Sequence, residues 1–166
     1  MEISIKSIIL FGTVVLTGLS AGLFYSWSVS VIPGTQKIAD PAYLETMQSI
    51  NRAILNPAFF LVFFGSMLFL GISSIYEFHT NKATFWFFLT SSIFYLIGTV
   101  GVTGLGNVPL NDQLDALDLV KMNTIKMTEF RQFYESNWNR LHLIRTVFAV
   151  TSFLLAVLGI FTYSKQ

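Results

Sequence analysis

The sequence predicts an all-α fold: a four-transmembrane-helix bundle with short amphipathic helices in the two long connections on one side. Composition is the first reason. Hydrophobic residues make up 53% of the chain and charged residues only 11%, where a soluble domain carries roughly a quarter charged residues. Mean hydropathy is +0.62. The second reason is four apolar runs, at residues 8–32, 57–76, 83–105 and 142–163, each long enough to cross a hydrocarbon core of about 30 Å. The 166 residues suit a single integral membrane domain. A net charge of +1 and the lack of any basic run exclude a nucleic-acid partner. The chain has no cysteine, which removes disulfides, thiolate metal sites and thiol redox chemistry and leaves the compartment open.

In the first run, Gly18, Gly22 and Ser26 form a small-residue ridge for helix contact. Tyr25 and Trp27 approach the far interface, and Pro33-Gly34 is expected to end the helix. Residues 41–51 are amphipathic, with Tyr43, Leu44, Met47 and Ile50 apolar and Glu45 and Gln48 between them, as in a helix lying at the interface. Asn56 before Pro57 is a helix cap for the second run. A short link at 77–82 makes the second and third runs a hairpin. Gly98, Gly101 and Gly104 recur near the end of the third run as packing positions, and N-V-P-L-N at 107–111 is expected to break the helix. A polar segment reaches to 137, with Asp112, Asp115 and Asp118 on one solvated flank.

The last run carries the strongest pattern. At alternating steps of four and three, Trp138, His142, Arg145, Ala149, Ser152, Ala156 and Gly159 share one helical face. Its later part is small, a seam for another helix, and its earlier part is an indole, an imidazole and a guanidinium. Four spans put both termini on one side, here side A, and both long connections on side B. Asn51, Asn56, Asn107, Asn111, Trp138, Asn139, His142 and Arg145 then converge at side B ends, so one mouth of the bundle is polar, aromatic and basic. Two readings stand for each. Arg145 is either a snorkelling arginine or a site cation, and His142 either bonds a carbonyl or takes part in chemistry. Trp138 belongs to an interfacial belt or a pocket wall, and Asn56 and Asn111 are caps or ligands. Side B holds more Lys and Arg than side A, but Arg52, Arg140 and Arg145 make that difference, so the count does not settle orientation.

Metal or haem ligation by His79 and His142 fails because about 30 Å of bilayer separates the two ends. No carboxylate is expected within a span, which argues against proton-coupled transport. No phosphate loop or Ser-His-Asp arrangement is present.

Four stretches carry a resemblance: A-G-L-F-Y-S-W-S at 21–28, M-Q-S-I-N-R-A-I-L-N-P at 47–57, N-V-P-L-N-D at 107–112 and W-N-R-L-H-L-I-R-T at 138–146. With these, nearly the whole chain resembles the anthrone oxygenase-like integral membrane proteins. The resemblance implies oxidation of an anthrone to an anthraquinone by O2, without a metal, flavin or other cofactor. On that reading His142 is the base, Arg145 with Asn51 or Asn107 stabilises the oxyanion, and Trp138 is a stacking wall, with Asn56, Asn111 and Asn139 around the substrate. The alternative is a non-catalytic membrane module that binds a lipid, a quinone-like ligand or a partner subunit through the same mouth. Membrane lipids, a small aromatic ligand and a second copy of the chain are the expected partners, and a bacterial inner (cytoplasmic) membrane is the expected location.

Overall fold

The computed structural model describes residues 4–163. All of its regular structure is helical: α1 Ile5–Thr35, α2 Asp40–Ala53, α3 Pro57–Glu77, α4 Lys82–Asp115 and α5 Thr124–Tyr163, with a 3-10 turn at Leu119–Lys121. Helices α1, α3, α4 and α5 are long and apolar enough to cross a membrane, which fits a multi-pass integral membrane protein. Their outward faces are apolar, with Phe11, Leu19, Leu61, Leu68, Ile97 and Leu154 all exposed, as a lipid-facing surface requires.

Caps start the helices where the sequence places them. Asn56 Oδ1 accepts from Phe59 N at 3.0 Å ahead of Pro57, and Asn81 Oδ1 accepts from Ala83 N and Thr84 N at the head of α4. The helix ends differ. Pro33-Gly34 does mark the end of α1, which runs one residue further to Thr35, whereas the break expected at 107–111 does not occur and α4 runs on to Asp115; both prolines are held within their helices. Each follows a π-helical stretch by two residues: Trp27–Val31 before Pro33, and Thr103–Asn107 before Pro109. The backbone N–H of Ile32 bonds back to Trp27 O, and that of Val108 to Thr103 O. These five-residue steps widen the turn and shift the carbonyl register, so the proline ring avoids the clash that breaks an α-helix. α1 and α4 therefore continue onto side B. The short helix of the second connection, Val108–Asp115, is continuous with the third span.

Helix α5 is 40 residues long, or about 60 Å at 1.5 Å per residue, and starts well before the apolar run at 142. Its first five turns pack on α2 and the end of α4, burying Tyr43, Leu44, Met47, Leu110, Leu114 and Tyr134 in a side B core. Arg131 clasps this part together. Its Nη1 donates to Ile38 O at 2.6 Å and to Asp40 Oδ1 at 2.8 Å, while its Nε donates to Glu135 Oε2 at 3.0 Å. A hydrogen bond from Thr128, and then the one from Arg131, hold the Asp40 carboxyl below its usual range. A group whose folded pKa is depressed stabilises the fold fully above its unfolded pKa and loses that effect as pH falls through the folded value. Asp40→Asn is therefore expected to lower the melting temperature near neutrality, with the gap to the wild type closing below about pH 3.8. Thermal melts against pH check this.

Within the spans, small hydroxyl residues join the helices. Ser20 Oγ and Tyr95 Oη are 2.7 Å apart and Tyr95 Oη donates to Phe63 O at 3.1 Å, tying α1, α4 and α3. Ser91 and Ser152 each donate to the other's carbonyl, at 2.7 and 2.9 Å. All seven residues of the predicted α5 seam are buried. Among the glycines, Gly98 is a true close approach, while Gly22 and Gly104 face open space and pack nothing. Side A is less plain than its sequence suggests: Glu77, at the end of α3, is fully buried, with Oε1 2.8 Å from Lys6 Nζ. A carboxylate thus does end up inside the bundle, because α1 brings Lys6 to it.

Candidate functional site

Three elements bring the side B residues together. The π-helical stretch of α1 places Trp27, the second of two in α4 places Thr103 and Asn107, and the α5 seam places Trp138, His142 and Arg145. π-helical turns recur at functional sites because they re-aim side chains that an α-helix would space evenly.

Between α1, α2, α3, α4 and α5 lies a pocket of about 170 Å³, comparable to the cavity of about 150 Å³ that takes up benzene in an engineered protein. Phe24, Trp27, Phe59 and Trp138 give it aromatic walls, and Asn51, Thr103, Asn111 and Arg145 supply inner polar groups. Arg52, Asp112 and Asp115 stand at its rim beside the exposed Leu55 and Val108. Arg52 Nε donates to Asp115 Oδ1 at 2.6 Å, an exposed ion pair joining α2 to α4. All three aspartates are exposed, as a solvated flank requires; Asp112 and Asp115 also border the pocket, and Asp118 pairs with Lys121.

Arg145 is 8% exposed. Its guanidinium lies 4.8 Å from the ring of Phe24 and 5.0 Å from that of Trp138. Nε and Nη2 reach His142 Nδ1 at 3.3 and 3.1 Å, and Nη1 donates to Thr103 Oγ1 at 3.4 Å. Of the five N–H donors of a guanidinium, the rest meet no protein acceptor among the described residues, and no carboxylate of those residues pairs with it. The snorkelling reading fails, since the side chain turns into the bundle. Here is a buried cation whose counter-charge the described residues do not supply.

His142 stands behind Trp138 rather than on the pocket wall. The two rings are parallel within 5° at 5.1 Å, and His142 is 1% exposed. Arginine only donates, so Nδ1 accepts from it and Nε2 carries the ring proton. That proton points at Phe24 O, 3.1 Å away, with Ser28 Oγ and Thr146 Oγ1 at 3.1 and 3.2 Å. Both ring nitrogens are engaged.

A second network braces the aromatic wall. Asn51 Nδ2 donates to Tyr134 Oη at 3.0 Å, Tyr134 Oη donates to Asn111 Oδ1 at 3.0 Å, and Trp138 Nε1 donates to the same oxygen at 2.9 Å. Asn111 is thus an acceptor hub rather than a cap. Tyr134 escaped sequence reasoning, although the four-residue step back from Trp138 along the α5 seam leads to it. Asn56 is a cap, and Asn139 is half-buried outside the pocket. Asn107 is fully buried; its Nδ2 donates to Trp138 O at 3.3 Å, while its Oδ1 has no partner among the described residues. Asn107 and Arg145 share no hydrogen bond, and the cavity lies beside Arg145.

Asn111→Leu leaves a buried indole N–H and a phenol without an acceptor, at about 1–3 kcal/mol for each such group. It is expected to destabilise the chain by about 2 kcal/mol or more, and Asn51→Leu by less, because Tyr134 keeps Asn111. Denaturant unfolding of the two variants checks the order.

A family model described as anthrone oxygenase matches residues 51–155, which takes in every polar pocket residue and leaves out α1 with Phe24 and Trp27. No curated protein and no solved structure matches the chain.

Proposed function

The chain belongs to the anthrone oxygenase family, and we propose that its side B pocket binds a flat aromatic ketone of the anthrone type and oxidises it with O2. One observation carries this reading: a buried arginine without a carboxylate partner among the described residues, set among aromatic walls. A lone buried charge is costly in an apolar bundle, and an anionic ligand offsets that cost. An anthrone becomes such an anion when its ring methylene loses a proton, because the central ring turns aromatic and the charge moves to the carbonyl oxygen. Arg145 beneath that oxygen favours the anion over the neutral ketone. The electron-rich anion then passes an electron to O2.

Trp138, Phe24 and Trp27 supply stacking area at low entropic cost, and the Asn51–Tyr134–Asn111 network keeps Trp138 in place. His142 orients the guanidinium through Nδ1, which makes it a positioning residue. The rim at Leu55 and Val108 leaves room for rings that exceed the pocket.

The test is purified, metal-stripped protein supplied with an anthrone under O2, with quinone absorbance as the readout. Protein-dependent quinone formation is expected. Its absence across a range of polyketide anthrones overturns the reading. Ligand binding without turnover in the same experiment favours the second reading, a non-catalytic holder of a quinone-like or lipid anion, which the unpaired Arg145 supports equally.

A further inference from the structure

Resting on the reading above, we infer that Asp112 is the proton acceptor of the reaction, taking the ring proton at the rim of the pocket while Arg145 receives the oxyanion at its floor. In an anthrone the acidic methylene and the carbonyl sit at opposite corners of the central ring. A base and an oxyanion stabiliser must therefore face each other across the ligand. His142 and Arg145 cannot do this: they are one turn apart on one helix, and their side chains are within 3.1 Å of each other. His142 is also absent from the pocket wall, and both its nitrogens are engaged.

The pocket has the polarity the chemistry needs. Arg145 lies at the buried end, and the carboxylates of Asp112 and Asp115 are at the exposed end. Asp115 is held by Arg52 at 2.6 Å. Among the described residues that line the pocket, Asp112 is the carboxylate left without an ion pair. Its neighbour Asn111 is fixed to Trp138 and Tyr134, so the helical turn that presents Asp112 is itself anchored to the aromatic wall.

The steps balance. The carboxylate takes one methylene proton, and the C–H electron pair enters the ring as the aromatic oxyanion on Arg145. One electron passes to O2, and the ring radical and superoxide couple to form a C–O bond. The peroxide anion recovers the proton from Asp112 as a hydroperoxide. Asp112 takes the remaining hydrogen of that carbon as a proton, the C–H pair becomes the second C=O, and the O–O bond breaks to release hydroxide. Hydroxide takes the proton from Asp112. The sum is anthrone plus O2 giving anthraquinone plus water, with the carboxylate restored.

The experiment uses the full chain in detergent with unsubstituted anthrone and O2. Asp112→Asn is expected to lower kcat/KM by about a hundredfold or more, the ordinary worth of a general base, with Asp112→Glu recovering part of it. The other charged groups facing the pocket are Arg52, Asp115 and Arg145, and none of them replaces the lost base. The residual rate of Asp112→Asn is therefore expected to rise about tenfold per pH unit, as hydroxide does the work. A primary isotope effect with methylene-deuterated anthrone is expected to grow in the variant. Wild-type turnover with an unchanged rate in Asp112→Asn overturns the assignment; if His142→Gln alone then abolishes turnover, the proton belongs on the histidine. A wild-type chain that makes no quinone instead overturns the oxygenase reading, and this inference with it.

Discussion

Arg145→Met is expected to cut quinone formation by about a hundredfold or more, the cost of losing a donor aimed at a developing oxyanion. The same substitution is expected to leave the melting temperature unchanged or to raise it. The two halves belong together. Arg145 is 8% exposed and has no carboxylate partner among the described residues, so replacing it removes an unpaired buried charge and fills the space with an apolar side chain. Loss of activity with a gain in stability marks a residue kept for function. Loss of both together would mark Arg145 as a structural anchor. Melting curves and turnover on the same preparation separate the two.

The largest expected effect on the fold comes from Gly98→Ala. A Cβ at that position falls 1.9 Å from Phe148 Cγ and 2.4 Å from Phe148 Cβ. Atoms that close to the backbone cannot swing away by changing rotamer, so α4 and α5 must separate. Overpacking of this kind costs about 1–3 kcal/mol, and the contact here is severe enough to reach the upper end. Because Gly98 lies in the π-helical stretch Tyr95–Gly101, shortly before Thr103, the displacement is expected to reach the pocket and weaken aromatic binding too. Gly104→Ala, which meets open space, is the control and is expected to change stability by less than about 0.5 kcal/mol. Unfolding of both variants in one detergent checks the contrast.

The α5 seam was legible in the sequence because helical periodicity survives in lipid: every residue of the four-three pattern from Trp138 to Gly159 is buried. Topology alone then brought Asn51, Asn111, Trp138 and Arg145 to one mouth, and all four line the pocket. The π-helical turns were not legible. Prolines at 33 and 109 read as stops because an α-helix cannot hold them, and nothing in a one-dimensional pattern announces a wider turn ahead of them. Without those turns α4 ends early, so nothing in the pattern shows that the exposed Asp112 and Asp115 also border a pocket. Trp27 reads as an interface residue and Phe24 carries no signal of its own, since their contact with Trp138 and Arg145 depends on how α1 lies against α5. Glu77 read as a loop residue because only tertiary structure brings Lys6 within 2.8 Å of it.

The central claim is that the pocket holds an aromatic ligand as its anion on Arg145. A hydroxyanthraquinone reports this directly, because its absorbance changes when it ionises, whether or not the protein turns it over. Titrated while bound to the wild-type chain, the dye is expected to ionise at least about one pH unit lower than in detergent alone, which corresponds to 1.36 kcal/mol of preference for the anion. In Arg145→Met the shift is expected to vanish or reverse. A bound dye whose ionisation in the wild type is unmoved, or moved to higher pH, contradicts the claim.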